Sequence, residues 1–265
     1  MKPYVIEDID LKNITPEYGK ELEKLAYNHS VIYIPNQDLE PQEQTDACAL
    51  IGEVEFVPYK SDFMIDNHVM RIAADNGIFG HTQELDWHVD LASVPSDSPM
   101  KDYQRRDFVM LHAIAGTDGS VTSFIDMAQA YEDLDSDFIK FYDLPNCSIT
   151  TGFRGDTYSP DCYKFFHEHH NEERLYQLVY TNPVGRTGLF FPYLQVFGIV
   201  GHTDKEQQEI TDYLTKHIMK PEFRYDHRWK DGDVIINEQW LTLHKRWEFD
   251  DAKKRVVHRV GFGNR

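Results

Sequence analysis

The feature that most constrains the fold is a succession of short β-rich segments after residue 70. Each segment is rich in β-branched and aromatic residues and is bounded by turn residues such as KDGD at 230–233. Many short strands with few helices between them are typical of a β-sandwich or a jelly-roll barrel. We therefore predict a mainly β fold with flanking helices, built from DFVMLHAIAG, LYQLVYTNP, TGLFFPYLQVFGIVG, FRYDHRW, DVIINEQW and RVVHRVGFG.

Three helices are predicted to flank these strands. Two lie in the first third of the chain, where TPEYGKELEKLAYNHS and LEPQEQTDACALIGEV place Pro16 and Pro41 at a first helical position. The third begins at a capping box, Thr203 with Glu206. Because no linker, low-complexity tract or internal repeat divides the sequence, residues 1–265 are predicted to form a single domain.

The charge of the chain limits its partners. Lys and Arg number 27 against 45 Asp and Glu, and the formal net charge of −18 repels phosphate backbones and anionic lipids. We therefore expect a small-molecule substrate rather than a nucleic acid or a membrane. Without a transmembrane-length apolar run or a signal peptide, a cytoplasmic location is expected, and a homo-oligomer is left open. The cysteines, Cys48, Cys147 and Cys162, lack C-x-x-C spacing and are interpreted as ordinary thiols.

The pair His88 and Asp90, in the stretch LDWHVDLAS, is the first candidate metal site. About one H-x-D is expected by chance in such a composition, and a second copy lies at His202 to Asp204. Alternate residues of an extended segment point to one face, so the first copy, set among strand-forming residues, can converge on one ion. The second copy leads into a helix, where Asp204 is favoured by the helix dipole, and it is interpreted as structural.

A third ligand and an anion site are expected near the C-terminus. Two histidines and one carboxylate form the facial arrangement of non-heme Fe(II) oxygenases, and His244 is the candidate second histidine. Arg255 and Arg259 lie four residues apart on the alternating segment RVVHRVG and therefore share one face. Since buried guanidinium groups need anionic partners, they predict either a site for acidic ligands or a pair of structural salt bridges.

Together these motifs resemble the taurine dioxygenase (TauD/TfdA-like) family of Fe(II)- and 2-oxoglutarate-dependent oxygenases. The ordered set is WHVD, Thr122 shortly before AYE, GR leading into an LF segment, a distal histidine, an arginine eleven residues later, and HR. The resemblance covers most of the chain. It implies a double-stranded β-helix, a cupin-like jelly roll, that uses Fe(II), 2-oxoglutarate as cosubstrate and O2.

The resemblance also implies roles for single residues. The iron ligands, and so the catalytic centre, would be His88, Asp90 and His244. Arg255 would pair with the distal carboxylate of 2-oxoglutarate, and Thr122 would hydrogen-bond to the same molecule. The retained Asp90 favours hydroxylation over halogenation.

Three further residues are implied to contact the substrate. Arg259 would lie near its acidic group, while Glu84 and Gln195 stand where the family has a substrate-facing asparagine and phenylalanine. A carboxylate and an amide at these positions favour a polar substrate such as an amino acid, an amine or an amino sulfonate. The alternative for Glu84 is a side chain turned to solvent.

Some segments depart from the family pattern. The loop 96–107 is longer, and its Arg105 and Arg106 are either solvated or within reach of a substrate. NEQW at 237–240 replaces the usual WDNR, and the histidine-rich cluster at His167 to His170 is interpreted as a surface loop.

The sequence thus predicts an oxygenase that hydroxylates a C–H bond of a small polar metabolite and releases succinate and CO2. Two alternatives are a non-catalytic ligand-binding barrel of the same fold and an oxygenase that acts on a nucleoside. The first would require the loss of a metal or cosubstrate residue.

Overall fold

The computed structural model describes residues 1–57, 64–73, 82, 84–90, 106–152, 173–250 and 254–263. The strands in these ranges are β1 (Tyr4–Val5), β2 (Val31–Ile34), β3 (Met70–Ala73), β4 (Leu85–His88), β5 (Phe108–Ala115), β6 (Val121–Asp126), β7 (Ser148–Thr151), β8 (Arg174–Gln177), β9 (Val179–Thr181), β10 (Thr187–Leu189), β11 (Val196–Ile199), β12 (Arg224–Arg228), β13 (Val234–Glu238), β14 (Thr242–Arg246) and β15 (Val256–Phe262). The α-helices are α1 (Pro16–His29), α2 (Pro41–Ile51), α3 (Met127–Glu132), α4 (Ser136–Phe141) and α5 (Asp204–Ile218).

Two sheets pack face to face and form the body of the protein. A six-stranded sheet has the order β1-β2-β13-β5-β15-β3, and a four-stranded sheet has the order β12-β6-β14-β4. Consecutive strands alternate between the sheets, as in β3 to β4, β5 to β6 and β12 to β15, which is the winding of a jelly roll. The side chains packed between the sheets include Val31, Ala113, Phe124, Trp229 and Ile235.

The three predicted helices are confirmed. Helix α1 has Thr15 as its N-cap, with the hydroxyl oxygen accepting a hydrogen bond from the backbone N–H of Tyr18, and α2 begins at Pro41. Helix α5 has the predicted capping box of Thr203 and Glu206. The buried faces of α1 and α2 join the aliphatic side chains of the six-stranded sheet in one core, so these helices cover that sheet from outside.

The structure differs from the predicted elements in three places. The segment LYQLVYTNP is divided into β8 and β9, and TGLFFPYLQVFGIVG into β10 and β11, and the two strands of each pair lie in different small sheets. Helices α3 and α4 were not predicted because six residues are too few to show an apolar repeat of helical period. Each is nonetheless capped, by Asp126 and Asp135 respectively, whose carboxylates accept hydrogen bonds from backbone N–H groups of the first turn.

Several secondary predictions concern residues outside the site. Cys48 and Cys147 are buried free thiols, and Arg106 pairs with Glu53 at 2.8 Å. The second H-x-D copy lies at the start of α5, with His202 Nε2 3.1 Å from the sulfur of Cys147. In the described ranges, no helix is long and apolar enough to cross a bilayer. Outside the described residues lie Cys162, Arg105 and the cluster at His167 to His170.

A buried carboxyl group at the end of β13 gives the fold a pH-dependent stability. Glu238 is fully buried, and burial raises the pKa of its carboxyl group well above 4.5, although Asn182 donates weak hydrogen bonds to both oxygens. A raised folded-state pKa means that this group's stabilising contribution is complete below the unfolded-state pKa. The contribution is lost as the pH rises towards the folded-state value.

Glu238→Gln is expected to flatten the fall in unfolding free energy with pH above about 4.5, because glutamine cannot ionise. Urea unfolding at a series of pH values measures the effect. The matched control is Glu132→Gln, a change at an exposed glutamate. Equal slopes for Glu238→Gln and the wild type would contradict the prediction.

Candidate active site

Three side chains on the four-stranded sheet converge at one point between the two sheets. In the register of β4 and β14, His88 lies directly opposite His244, and Asp90 follows the end of β4. An Asp90 carboxylate oxygen lies 3.7 Å from Nε2 of His88 and 3.4 Å from Nε2 of His244. One ligand atom from each residue can be chosen so that all lie within 4.8 Å of one another. The structure thus brings together the three predicted metal ligands.

Hydrogen bonding fixes which nitrogen of His88 faces this point. Its Nδ1 lies 2.6 Å from the carbonyl oxygen of Asp86, which can only accept, so Nδ1 carries the proton. Nε2, which lies 3.7 Å from the Asp90 carboxylate, therefore carries the lone pair. Burial, together with the nearby His244, lowers the pKa of His88 to about 3. The imidazole is neutral at physiological pH, as a metal ligand must be.

The carboxylate of Asp90 is held in its ionised form. Burial by itself would raise its pKa, but the guanidinium of Arg259 and the two imidazoles hold it well below the ordinary value. The Nε–H of Arg259 donates to the second oxygen of Asp90 at 2.8 Å. One oxygen thus faces the histidines and the other is fixed from behind by a cation.

These features fit a divalent metal ion. Two imidazoles and one carboxylate form the donor set of a facial triad, which leaves positions for further ligands. The hydrogen bonds from His88 to Asp86 and from Arg259 to Asp90 are the outer contacts that orient such ligands.

The backbone between the ligands is held by two glutamine side chains. Beyond the end of β4, no strand in the described part of the chain pairs with the backbone of Val89, and the side-chain amide of Gln195 bonds to it instead. Its oxygen accepts from the N–H of Val89 at 3.0 Å, and its nitrogen donates to the carbonyl of Val89 at 3.1 Å. The side-chain oxygen of Gln239 accepts from the N–H of Asp90 at 3.2 Å. Because the oxygen and the nitrogen of the Gln195 amide both bond to the backbone of Val89, the geometry argues against its predicted contact with a substrate.

Gln195→Ala is expected to weaken metal binding by roughly tenfold to a hundredfold, the usual effect of removing a residue that orients a ligand. Equilibrium titration with Mn(II) measures it. Gln207→Ala is the matched control, since Gln207 likewise bonds to backbone groups, at Ile199 and His202. A purely structural role would show as equal Mn(II) affinity in both variants with equal losses of thermal stability.

A second cationic group lies on the same side of the barrel as the histidines. Arg255 is only 4% exposed, and its Nε–H donates to the hydroxyl of Ser120 at 3.2 Å. Among the residues that the structure describes, no carboxylate lies within ion-pair distance of Arg255. Arg246 shares its surroundings, because both guanidinium groups lie over the ring of Phe249, at 5.1 Å for Arg255 and 5.6 Å for Arg246.

The two arginines oppose each other electrostatically. Burial and, second, the charge of Arg246 lower the pKa of Arg255 to about 9. Arg246 is two residues from His244 on β14, and therefore on the same face, and its charge also contributes to the lowered pKa of His88. A buried guanidinium, that of Arg255, and a partly buried one, that of Arg246, thus lie close together, and such a pair can bind an anion.

The hydroxyl group of Thr122 lies near these two arginines. Thr122 lies opposite Arg246 in the register of β6 and β14. Its oxygen accepts a hydrogen bond from the indole N–H of Trp229 at 2.8 Å, which leaves the hydroxyl proton available to a further acceptor.

Glu84 lies away from these groups. Its carboxylate pairs with Nζ of Lys245 at 3.1 Å, and the side chain is half-exposed. Lys245 also bonds to Asp86 and lies over the ring of Trp247. Because Lys245 alternates with His244 and Arg246 along β14, it points to the other face of the sheet. The ion pair argues against the predicted contact between Glu84 and a substrate.

Five residues at the site were not predicted from the sequence: Glu55, Ser120, Trp229, Gln239 and Arg246. The departure of NEQW from the family pattern singled out the segment that contains Gln239, but it did not predict the hydrogen bond between Gln239 and Asp90. Arg246 carried a usable signal, since it lies two residues after His244 and alternation predicts a shared face. Glu55 and Trp229 carried none, because their contacts come from residues far away in the sequence.

Comparison with known proteins supplies a family for this geometry. The model of the family described as Taurine catabolism dioxygenase TauD, TfdA family matches residues 2–260. Pentalenolactone F synthase of Streptomyces arenae is 23% identical over 222 residues, which cover 77% of this chain and 69% of that protein. The (S)-phenoxypropionate/alpha-ketoglutarate-dioxygenase of Sphingobium herbicidovorans is 21% identical over 262 residues, with 96% and 88% covered.

A solved structure gives the same fold. The crystal structure of a taurine dioxygenase from Burkholderia xenovorans superimposes with a TM-score of 0.77 at 19% identity, covering 100% of this chain and 87% of that one. The jelly-roll prediction is confirmed by this likeness and by the alternating sheets.

Proposed function

The chain belongs to the TauD/TfdA family of 2-oxoglutarate-dependent dioxygenases, and from that premise we propose that it oxidises a C–H bond of a small polar metabolite. Members of the family are oxidoreductases that use Fe(II), 2-oxoglutarate and O2. When Fe(II) and 2-oxoglutarate are bound, dioxygen supplies the oxidising equivalents, and 2-oxoglutarate is converted to succinate and CO2. The rest of this proposal concerns what the residues of this chain contribute.

The proposed iron ligands are His88, Asp90 and His244. The observation that carries the proposal is the convergence of their donor atoms, with His88 in the tautomer that a metal requires and Asp90 held ionised by Arg259. Gln195 and Gln239 hold the backbone of this segment, so the ligands need little rearrangement to bind an ion.

The side chains proposed to bind the cosubstrate are those of Arg255, Arg246, Ser120 and Thr122. A guanidinium fork matches a carboxylate, and the desolvated surroundings of Arg255 strengthen such a pair. Ser120 orients Arg255 through its Nε–H, which leaves the terminal nitrogens of the fork for the ligand. Thr122 is poised to donate its hydroxyl proton to the same carboxylate.

The proposed substrate class is a small polar molecule such as an amino acid, an amine or an amino sulfonate. The polar residues around the three proposed metal ligands support a polar substrate. The names of the relatives, a phenoxypropionate dioxygenase and a taurine dioxygenase, support a small organic substrate of this size class.

Succinate release tests the function as a whole. Purified protein with Fe(II), 2-oxoglutarate and O2 is expected to release succinate faster with at least one member of a panel of amino acids, amines and sulfonates. Product analysis by mass spectrometry is expected to show one added oxygen atom. Binding of Mn(II) and 2-oxoglutarate without stimulation by any member would contradict the substrate class. Failure to bind either one would contradict the proposed site.

A further inference from the structure

Glu55 is a buried carboxylate that shares the guanidinium of Arg259 with the proposed metal ligand Asp90. It is 1% exposed, and its Oε2 accepts from Nη1 of Arg259 at 2.8 Å. The same guanidinium donates from Nε to Asp90 at 2.8 Å. Arg259 thus lies between two carboxylates, one of them a proposed metal ligand.

The backbone around Glu55 fixes this carboxylate in place. The N–H of Glu55 donates to the carbonyl of Gly261 at 2.8 Å, so the segment runs beside the end of β15. Its own carbonyl oxygen lies 2.7 Å from Nδ1 of His68. A Cβ atom at Gly261 would lie 1.9 Å from Oε2 of Glu55, so only glycine leaves room for the carboxylate at this position. The acid is therefore a built part of the site and not a mobile surface group.

This arrangement has a consequence for substrate charge. The guanidinium of Arg259, on the side of Asp90 away from the histidines, is the group to which an acidic substrate near the metal would be drawn. Glu55 already supplies the anion on that side. A second anion would either displace a buried carboxylate or lie next to it, and the repulsion between the two like charges would weaken its binding.

We propose that Glu55 determines substrate specificity by occupying the anion-binding side of Arg259, so that the enzyme selects substrates that are neutral or cationic at that end. This inference rests on the proposed function. Within the substrate class named above, it favours amines and amides over carboxylates and sulfonates that would bind through Arg259.

The test compares ligands of equal size and different charge. Propionate, ethanesulfonate, propionamide and propylamine are titrated calorimetrically into protein loaded with Mn(II) and 2-oxoglutarate, which does not turn over. For the wild type, the two acids are expected to bind at least tenfold more weakly than the amide or the amine. In Glu55→Gln, which keeps the shape and removes the charge, the acids are expected to gain at least tenfold.

Glu53→Gln is the matched control, because Glu53 lies two residues away with a side chain that is 70% exposed and pairs with Arg106. It is expected to leave all four affinities unchanged. Acids that bind the wild type as tightly as the amide overturn the proposal, and so do acids that gain nothing in Glu55→Gln, including the case of no detectable binding. The wild-type comparison stands even if Glu55→Gln does not fold. Loading with Mn(II) and 2-oxoglutarate is measured first, so failure at that step points to the proposed function instead.

Discussion

Replacement of Asp90 or His244 with alanine is expected to abolish turnover and to weaken binding of a divalent metal by on the order of a hundredfold to a few thousandfold. The removal of one partner from a buried, charge-coupled set costs about 3–5 kcal/mol, and each 1.4 kcal/mol is about tenfold in affinity. Asp90 is the only carboxylate among the three converging groups, so its loss leaves a dication with two imidazoles and no anionic ligand from this set. Loss of His244 removes a donor that lies 3.4 Å from Asp90.

Both variants are expected to fold. In Asp90→Ala, Arg259 keeps its ion pair with Glu55 at 2.8 Å and is not left as a lone buried charge. In His244→Ala, β14 keeps its backbone pairing with β6. Mn(II) titration and succinate release measure the loss, and circular dichroism checks the fold.

The second H-x-D copy supplies the control. His202→Ala and Asp204→Ala alter the same residue types at the same spacing, but at the start of α5. Both are expected to bind Mn(II) as the wild type does. Wild-type affinity for Mn(II) in a folded Asp90 or His244 variant would contradict the proposed metal site.

Much of the fold follows from local sequence patterns. The capping box at Thr203, the prolines at the starts of α1 and α2, and the β-rich segments each act over a few residues, so the chain itself records them. The two-residue spacing of His88 and Asp90 and the four-residue spacing of Arg255 and Arg259 belong to the same class of evidence. The side chains of His88 and Asp90 do meet, although Asp90 lies beyond the end of β4. Arg255 and Arg259 are both buried, but they have different partners.

The rest of the site depends on register between distant segments. Gln195 meets Val89 across 106 residues, and Glu55 meets Arg259 across 204 residues. No local pattern shows where each strand ends. The sequence therefore does not show which backbone groups lack a strand partner and bond to a glutamine side chain instead. The expected substrate contacts of Gln195 and Arg259 were inferred from position alone, and the structure gives the amide to a backbone and the guanidinium to two carboxylates.

The charges around the proposed iron divide the site into two ends. Arg259 is paired with two carboxylates, whereas Arg255 and Arg246 share an aromatic ring, and Arg255 has a hydroxyl partner but no carboxylate among the described residues. An anion is therefore attracted to the end with Arg255 and not to the end with Arg259. We therefore propose that the dianionic cosubstrate binds at the end with Arg255 and the substrate at the end with Arg259.

Arg255→Gln is expected to raise the 2-oxoglutarate requirement by roughly thirtyfold to a few thousandfold while Mn(II) binding stays close to the wild-type value. Truncating one partner of a buried, hydrogen-bonded charge pair costs about 2–5 kcal/mol. Arg255→Lys keeps the charge but not the fork and is expected to recover part of the loss. The control is Arg228→Ala, at an exposed arginine of β12. Calorimetric titration of 2-oxoglutarate into the Mn(II)-loaded proteins makes the comparison. An unchanged dissociation constant in Arg255→Gln would show that Arg255 serves the fold alone, since its hydroxyl partner Ser120 would then account for its burial.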